Sequence, residues 1–396
     1  MPDPRTIVNQ PARRTAVNSL RLALLFPTVE LGTYWQPVLS KLAEISQQVI
    51  LYTGRPWAGF DPHDPKTATV EVVGETVRVT SNLDKTDYGG YMQLSTKIVG
   101  RLLRFKPQVI IACGFSSWTI LALLFKPIGR WRVIIAWDGS SPNVDFRYSK
   151  PRLLLRRMIA RFADRFITNT EAGKLYFSEF LGVNSNRIVV RPYLVPDPKT
   201  LLGKSASLAP ANLETVSPVF LYVGRIEERK GLHLLLQSCN ILCKEGYKFS
   251  LLIIGRGPQR QELEDYCHRQ NLDDCVQWLG WVDYHQLGTY FRQVDVLVFP
   301  SLEDIWGMVA PEAMAFGKPV ICSKWAGSSE LITHGKSGFI CDPHAPAEMA
   351  AMMRRLIEKP ELISTMGTAA RAAIAQHTPD AVAQFLAEVS LQTLNR

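Results

Sequence analysis

Short apolar runs recur along the 396-residue chain, separated by stretches of helical period. Over residues 19–197 the runs are Leu22–Phe26, Gln48–Tyr52, Val109–Ala112, Val133–Trp137, Arg165–Thr168 and Arg187–Arg191. Over residues 218–375 they are Val219–Val223, Ser250–Ile254, Val276–Leu279, Val294–Phe299, Pro319–Cys322 and Gly338–Ile340. Most are rich in β-branched residues and continuously apolar rather than alternating. That pattern belongs to parallel strands covered on both faces. With helices between the strands, each half reads as a doubly wound, Rossmann-like α/β sheet. Residues 198–217, bracketed by Pro196 and Pro218, show no period and read as a linker. Residues 1–18 read as a disordered tail, and 376–396 as a terminal helix that crosses back to the first domain.

Composition narrows the function classes. No apolar run reaches the ~18 residues of a membrane span. Leu22–Phe26, preceded by Arg13, Arg14 and Arg21, imitates a signal peptide. It is too short and lacks a cleavage site, so it reads as a buried first strand. The seven cysteines form no CxxC pair, and no histidines sit at ligand spacing, so no metal site is expected. Cys239 and Cys243 fit core packing on a helix. The odd count and missing leader point to a cytoplasmic protein, at the inner face of a membrane if it meets one. Charge is uneven: residues 1–205 hold 28 of the 45 Lys and Arg but 15 of the 36 Asp and Glu. Such asymmetry implies a basic surface facing an anionic partner, whether phospholipid, lipid phosphate or nucleic acid. The basic residues are scattered and form no nucleic-acid motif, so nucleic acid is set aside.

Three segments of the second half carry chemistry suited to a phosphorylated ligand. Gly224-Arg225-Ile226-Glu227-Glu228-Arg229-Lys230-Gly231 directly follows a strand, where such sheets bind ligands. Arg225 and Lys230 there are able to neutralise a diphosphate, although a solvated charged turn reads equally well. Gly255-Arg256-Gly257 follows the next strand and is weaker evidence alone. The most specific segment runs from Phe299 to Ile321. A strand gives way to a loop containing Asp304, Gly307 and Met308, then to a helix starting near Val309 with Pro311 in its first turn. Amides at that helix start suit an anion. Asp304 and Glu312, separated by seven residues, offer carboxylates to sugar hydroxyls; for Glu312 the alternative is helix-dipole stabilisation. Gly335-Lys336-Ser337 lacks the upstream glycine of a P-loop.

In these segments the chain resembles glycosyltransferase family 4, the group 1 retaining transferases of GT-B fold. The resemblance rests on Gly224, Arg225, Lys230 and Gly231, on Asp304-x7-Glu312 with Ala313-Met314-Ala315, and on Gly317-x-Pro319-Val320-Ile321. Gly327, Glu330, Ile332 and Gly338 extend it, over about 120 residues in order. It implies two Rossmann-like domains facing a central cleft, a nucleoside diphosphate sugar as donor, and no cofactor or essential metal. It gives Arg225 and Lys230 the donor diphosphate, Glu312 the ribose and Asp304 the donor sugar. The base would lie near Trp281 and Val282.

The acceptor side resembles the family less. Gly32 and Thr33 stand where the family has a Gly-rich loop, and Tyr34–Trp35 reads as packing or as an acceptor platform. Asp138 lies where the family usually has a histidine; it reads as a base for the acceptor hydroxyl or as a turn residue before Gly139. Ser116 offers a hydroxyl and Trp118 an aromatic face for a sugar. Aspartate at 304 in place of the family's glutamate, Ile305 after it, and the missing histidine leave two readings. One is a transferase acting on a glycan or lipid-linked acceptor. The other is a GT-B protein that binds a nucleotide sugar or a partner without turnover. The helix expected from about Lys150 to Arg165 carries six basic residues beside an apolar stripe. It fits either a membrane-surface helix or a core-facing helix with a solvated basic face.

Overall fold

The computed structural model describes residues 19–27, 32–54, 69–74, 77–79, 91–202 and 215–395. The tail expected over 1–18 lies outside the described residues. The chain divides into two compact units, residues 1–194 with 379–396, and residues 195–378.

The first unit is built on a seven-stranded parallel sheet. Its strands are β1 (Arg21–Leu25), β2 (Gln48–Thr53), β3 (Thr69–Val72), β6 (Val109–Cys113), β7 (Arg132–Trp137), β8 (Arg165–Thr168) and β9 (Ile188–Val190). They run in the order β3-β2-β1-β6-β7-β8-β9, and β4 (Val77–Val79) and β5 (Tyr91–Gln93) form a separate antiparallel pair. The second sheet has six parallel strands: β10 (Val219–Val223), β11 (Ser250–Ile254), β12 (Val276–Gly280), β13 (Val296–Phe299), β14 (Val320–Ser323) and β15 (Gly338–Cys341). Its order is β12-β11-β10-β13-β14-β15, which reverses direction beside β10. Ligands of such sheets bind at the carboxyl ends of the strands flanking that reversal, here β10 and β13.

Continuous apolar runs arise because both sheet faces are covered. On β10, Phe220 and Tyr222 enter one core cluster while Val219 and Leu221 enter the other. β11 repeats this with Leu251 and Ile253 against Leu252 and Ile254. A one-residue slip in register would exchange the two sets, so packing on both sides fixes the strand ends that carry the functional loops.

Helix Pro379–Leu394 packs on helix Gly32–Ile45 in the first unit. Gln392 accepts a hydrogen bond from Arg165 at 2.7 Å, and the Arg191 guanidinium sits 5.1 Å over the Phe385 ring. The expected linker opens with a short helix, Pro198–Leu202, whose Leu201 is buried in the second unit's core. Residues 203–214 lie outside the described residues. The basic helix spans Lys150–Phe162 and stops before Arg165, which is buried on β8.

Candidate donor site and what the chain resembles

The two motif loops of the second unit interlock at the β10–β13 reversal. After β10 the chain turns through Gly224, whose amide donates to Ile254 at 3.0 Å, and Tyr222 Oη donates to the Arg225 carbonyl at 2.8 Å. Residues Glu228–Lys230 form one tight turn that ends at Gly231, with φ +68°. Glycine is required there twice over: the φ suits no β-carbon, and one would run into the Pro300 carbonyl. The Leu302 amide donates to the Arg229 carbonyl at 2.8 Å, and Arg229 donates to the Glu303 carbonyl at 3.1 Å. A Cβ on Gly255 would collide with the Gly224 carbonyl, so the loops after β10 and β11 touch backbone to backbone.

This packing sets the charges. Lys230 Nζ lies 2.6 Å from Asp304 Oδ2, and both side chains are mostly buried. Asp304 Oδ1 also accepts the Trp306 amide at 3.3 Å. Its backbone is clamped against the neighbouring loop: its amide donates to Trp325 at 3.2 Å, and its carbonyl accepts from Gly327 at 3.0 Å. Lys230 and the first acid of the motif are thus held by each other. Arg225 is the more exposed cation, 3.2 Å from Glu227, which also takes Arg229 at 2.8 Å.

Among the described residues, Glu312 differs from Asp304 in having no ion-pair partner. It sits on helix Val309–Ala315, is 2% exposed, and accepts a hydrogen bond from Tyr284 at 2.9 Å. Burial pushes its carboxyl up to about 8, and the Tyr284 hydroxyl only partly opposes that shift. Burial thus favours the protonated form of Glu312 near neutral pH. Simple dipole stabilisation, which needs a charged group at a helix start, does not describe it.

The helix start is narrower than the sequence reading implied. It has seven residues, the Ala310 and Glu312 amides are taken by the Gly307 and Met308 carbonyls, and Pro311 has no N–H. Any amide contribution is confined to the residues before Ala310. Gly307, at φ +85°, is forced by the Phe299 ring, which a side chain would strike. Trp281 follows β12, exposed beneath the Arg256 guanidinium at 4.7 Å, while Val282 packs on the core. Sequence reasoning missed Glu227, Arg229 and Tyr284. They lie within three residues of the sites it named, but nothing in their spacing set them apart from solvated loop residues.

In the first unit the structure corrects two expectations. Trp118 is fully buried, its indole N–H donating to the Ser95 carbonyl at 2.9 Å, so its ring offers no face to a sugar. Ser116 caps helix Ser117–Leu124 by accepting the Thr119 amide at 3.2 Å, and its proton goes to Thr119 Oγ1 at 3.1 Å, since that hydroxyl itself donates to the Gly114 carbonyl. Trp35 packs in the core, its ring 4.6 Å from that of Phe26 and 5.6 Å from that of Tyr193. Gly32 and Thr33 open helix Gly32–Ile45, and their surroundings are not among those described. Asp138 accepts the Tyr193 hydroxyl at 2.8 Å, and its backbone carbonyl is held by Asn169 at 2.9 Å. Burial raises its carboxyl to about 6, against the lowering effect of the Tyr193 bond. Among the described residues no group of His, Cys, Asp and Glu has the arrangement of a metal site. The cysteines are free, Cys243 and Cys275 touching at 3.4 Å.

The interlocked loops fall within residues 206–373, which match the family model described as glycosyl transferases group 1. Over those residues the chain is similar to the group 1 glycosyltransferases. A D-inositol 3-phosphate glycosyltransferase of Streptomyces scabiei is 31% identical over 250 residues, covering 60% of this chain and 56% of the relative. A protein of the same description from Thermobispora bispora is 28% identical over 393 residues, covering 92% and 90%. With several such relatives the match spans only about half their length. The crystal structure of Anabaena HepE in complex with UDP superposes with a TM-score of 0.73 at 21% identity, covering 94% of this chain and all of that one. Sucrose-phosphate synthase from Thermosynechococcus elongatus gives 0.70 at 18%, covering 94% and 99%. The fold is GT-B, with two Rossmann-like units.

Proposed function

We propose that this chain is a group 1 glycosyltransferase, a retaining family 4 enzyme that moves a sugar from a nucleoside diphosphate sugar to a hydroxyl of a glycan or lipid-linked acceptor. The observation that carries the reading is the Lys230–Asp304 pair, anchored where β10 and β13 diverge. A diphosphate arriving there meets Lys230 and Arg225, and their charge stabilises it as it leaves. Asp304, already beside Lys230, faces the sugar end of the donor. Glu312 accepts ribose hydroxyls once ionised, and Trp281 and Val282 flank the base. The positive side chains do the work of a divalent cation, in line with the metal independence that the family resemblance implies. That HepE has been solved with UDP and with UDP-glucose supports a uridine diphosphate sugar as the first donor to try. In the first unit, Asp138, with its carboxyl near 6, suits the taking of a proton close to neutral pH. The leaving phosphate is the other base available.

The test is a thermal-shift screen against a panel of nucleotide sugars, followed by measurement of nucleoside diphosphate release with an acceptor panel. A donor that stabilises the chain and is consumed only with acceptor is the expected result. No shift with any donor overturns the reading. A shift with no release across the panel favours binding without turnover, a reading prompted by aspartate at 304 and the absence of histidine near Asp138.

A further inference from the structure

The basic helix Lys150–Phe162 turns an apolar face outward. Leu154, Leu155, Met158 and Phe162, at i, i+1, i+4 and i+8, share one face and are 60, 46, 48 and 66% exposed. Its inward face carries Ile159 and Ala160, and Arg156, which lies over the Phe115 and Trp137 rings at 5.2 and 5.0 Å. Arg156 is therefore a packing residue. Lys150, Arg157 and Arg161 flank the outward apolar face. The end of helix Ser117–Leu124 and the short helix Lys126–Gly129 extend it: Lys126 donates to the Phe162 carbonyl at 3.0 Å, and Leu124 and Ile128 are 66 and 67% exposed.

Two cavities of about 320 and 490 Å³ open beside Phe162. Between them they are lined by Lys126, Arg130, Arg132, Arg161 and Arg187, with Asp164 as the single acid. Asp164 is shared by Lys126 at 2.7 Å and Arg132 at 3.1 Å, so positive charge is in excess. An apolar plane with cation-lined hollows at its edge has the chemistry of an anionic bilayer: acyl chains for the plane, headgroup phosphates for the hollows. A purely aqueous role leaves both features unexplained, since exposed faces of soluble helices are ordinarily polar.

The geometry points to a peripheral docking surface for anionic phospholipid bilayers, with Leu154, Met158 and Phe162 entering the acyl boundary and Arg130 and Arg161 meeting lipid phosphate. It goes beyond the transfer reaction, which requires no membrane. No helix among the described residues is long and apolar enough to cross one, so attachment here is in the plane of the surface.

Sedimentation with phosphatidylcholine vesicles, with and without phosphatidylglycerol, tests it on the full chain. Binding is expected only to the anionic vesicles, weakening with salt. Met158→Ser with Phe162→Ser should lower it at least tenfold. Arg130→Glu with Arg161→Glu should lower it by at least fivefold for each cation removed. All four positions are exposed, so melting curves of the variants should match the parent. Inorganic phosphate at millimolar concentration should not compete, which separates a bilayer from a free anion. Equal binding to neutral vesicles, no binding to either, or binding untouched by both variants overturns the proposal. So does a concentration-dependent dimer that the Met158 and Phe162 changes abolish while vesicles go unbound. Nucleotide-dependent thermal shifts should be unaltered in both variants, so failure here is distinguishable from failure of the donor site.

Discussion

Replacing Glu312 by Gln keeps the side chain's shape and its acceptor for Tyr284 while removing the ionisable proton. Because burial lifts the carboxyl from the ordinary 4.5 to about 8, the folded chain keeps a proton that the unfolded chain releases. Below about pH 4.5 both states hold it and nothing is lost. From there to pH 8, stability falls by about 1.4 kcal/mol per pH unit, then levels off. Over that interval the ceiling is on the order of 4–5 kcal/mol. The Gln variant lacks this slope, so its stability relative to the parent should rise steadily between pH 5 and pH 8 in urea melts. Nucleotide binding gives the opposite and independent readout. If ionised Glu312 accepts ribose hydroxyls, the parent's affinity for UDP should increase as pH climbs toward 8. The Gln variant should bind roughly 10–100-fold more weakly at pH 8, the range for a hydrogen bond to a charged acceptor, with no such pH dependence. Calorimetry at pH 6, 7 and 8 measures it. Parallel stability curves would show that Glu312 is not buried and neutral. Equal affinities would show that it does not hold the nucleotide.

Two further outcomes follow from the same geometry. Lys230→Ala leaves the mostly buried Asp304 carboxylate without its cation, at a cost on the order of 2–3 kcal/mol; adding Asp304→Asn should restore stability but not UDP binding, and recovery of both would remove Lys230 from the phosphate site. Tyr193→Phe deletes the bond that holds Asp138's carboxyl down, so if Asp138 is the acceptor's base, the acid limb of the kcat/KM profile should move up by about one pH unit, and an unmoved limb assigns the proton to another group.

What was legible in the sequence was whatever packing writes into residue type. Twelve expected strands map onto twelve observed ones because most are covered on both faces and so are apolar along most of their length. β3, Thr69–Val72, was missed, as were β4 and β5: it is a four-residue edge strand with no fully buried residue, so no apolar run marks it. The same asymmetry governs the site. Gly231, Gly255 and Gly307 were readable because a close approach or a positive φ excludes other residues. The partner of a charge is not readable this way. Nothing in a spacing of 74 residues announces that Lys230 takes Asp304, or that Glu312 takes the hydroxyl of Tyr284. Aromatic residues fail in the other direction. Trp118 looks like a sugar platform beside two serines, yet a large ring satisfies a core as readily as a ligand, and only tertiary burial decides between them. Helix Lys150–Phe162 makes the same point from outside. Its composition allowed the apolar stripe to face the core and the basic residues to face water. The fold instead seats Arg156 among aromatic rings and turns Leu154, Met158 and Phe162 outward. Charge and hydropathy say which residues cluster along a helix; only its neighbours decide which cluster meets the solvent.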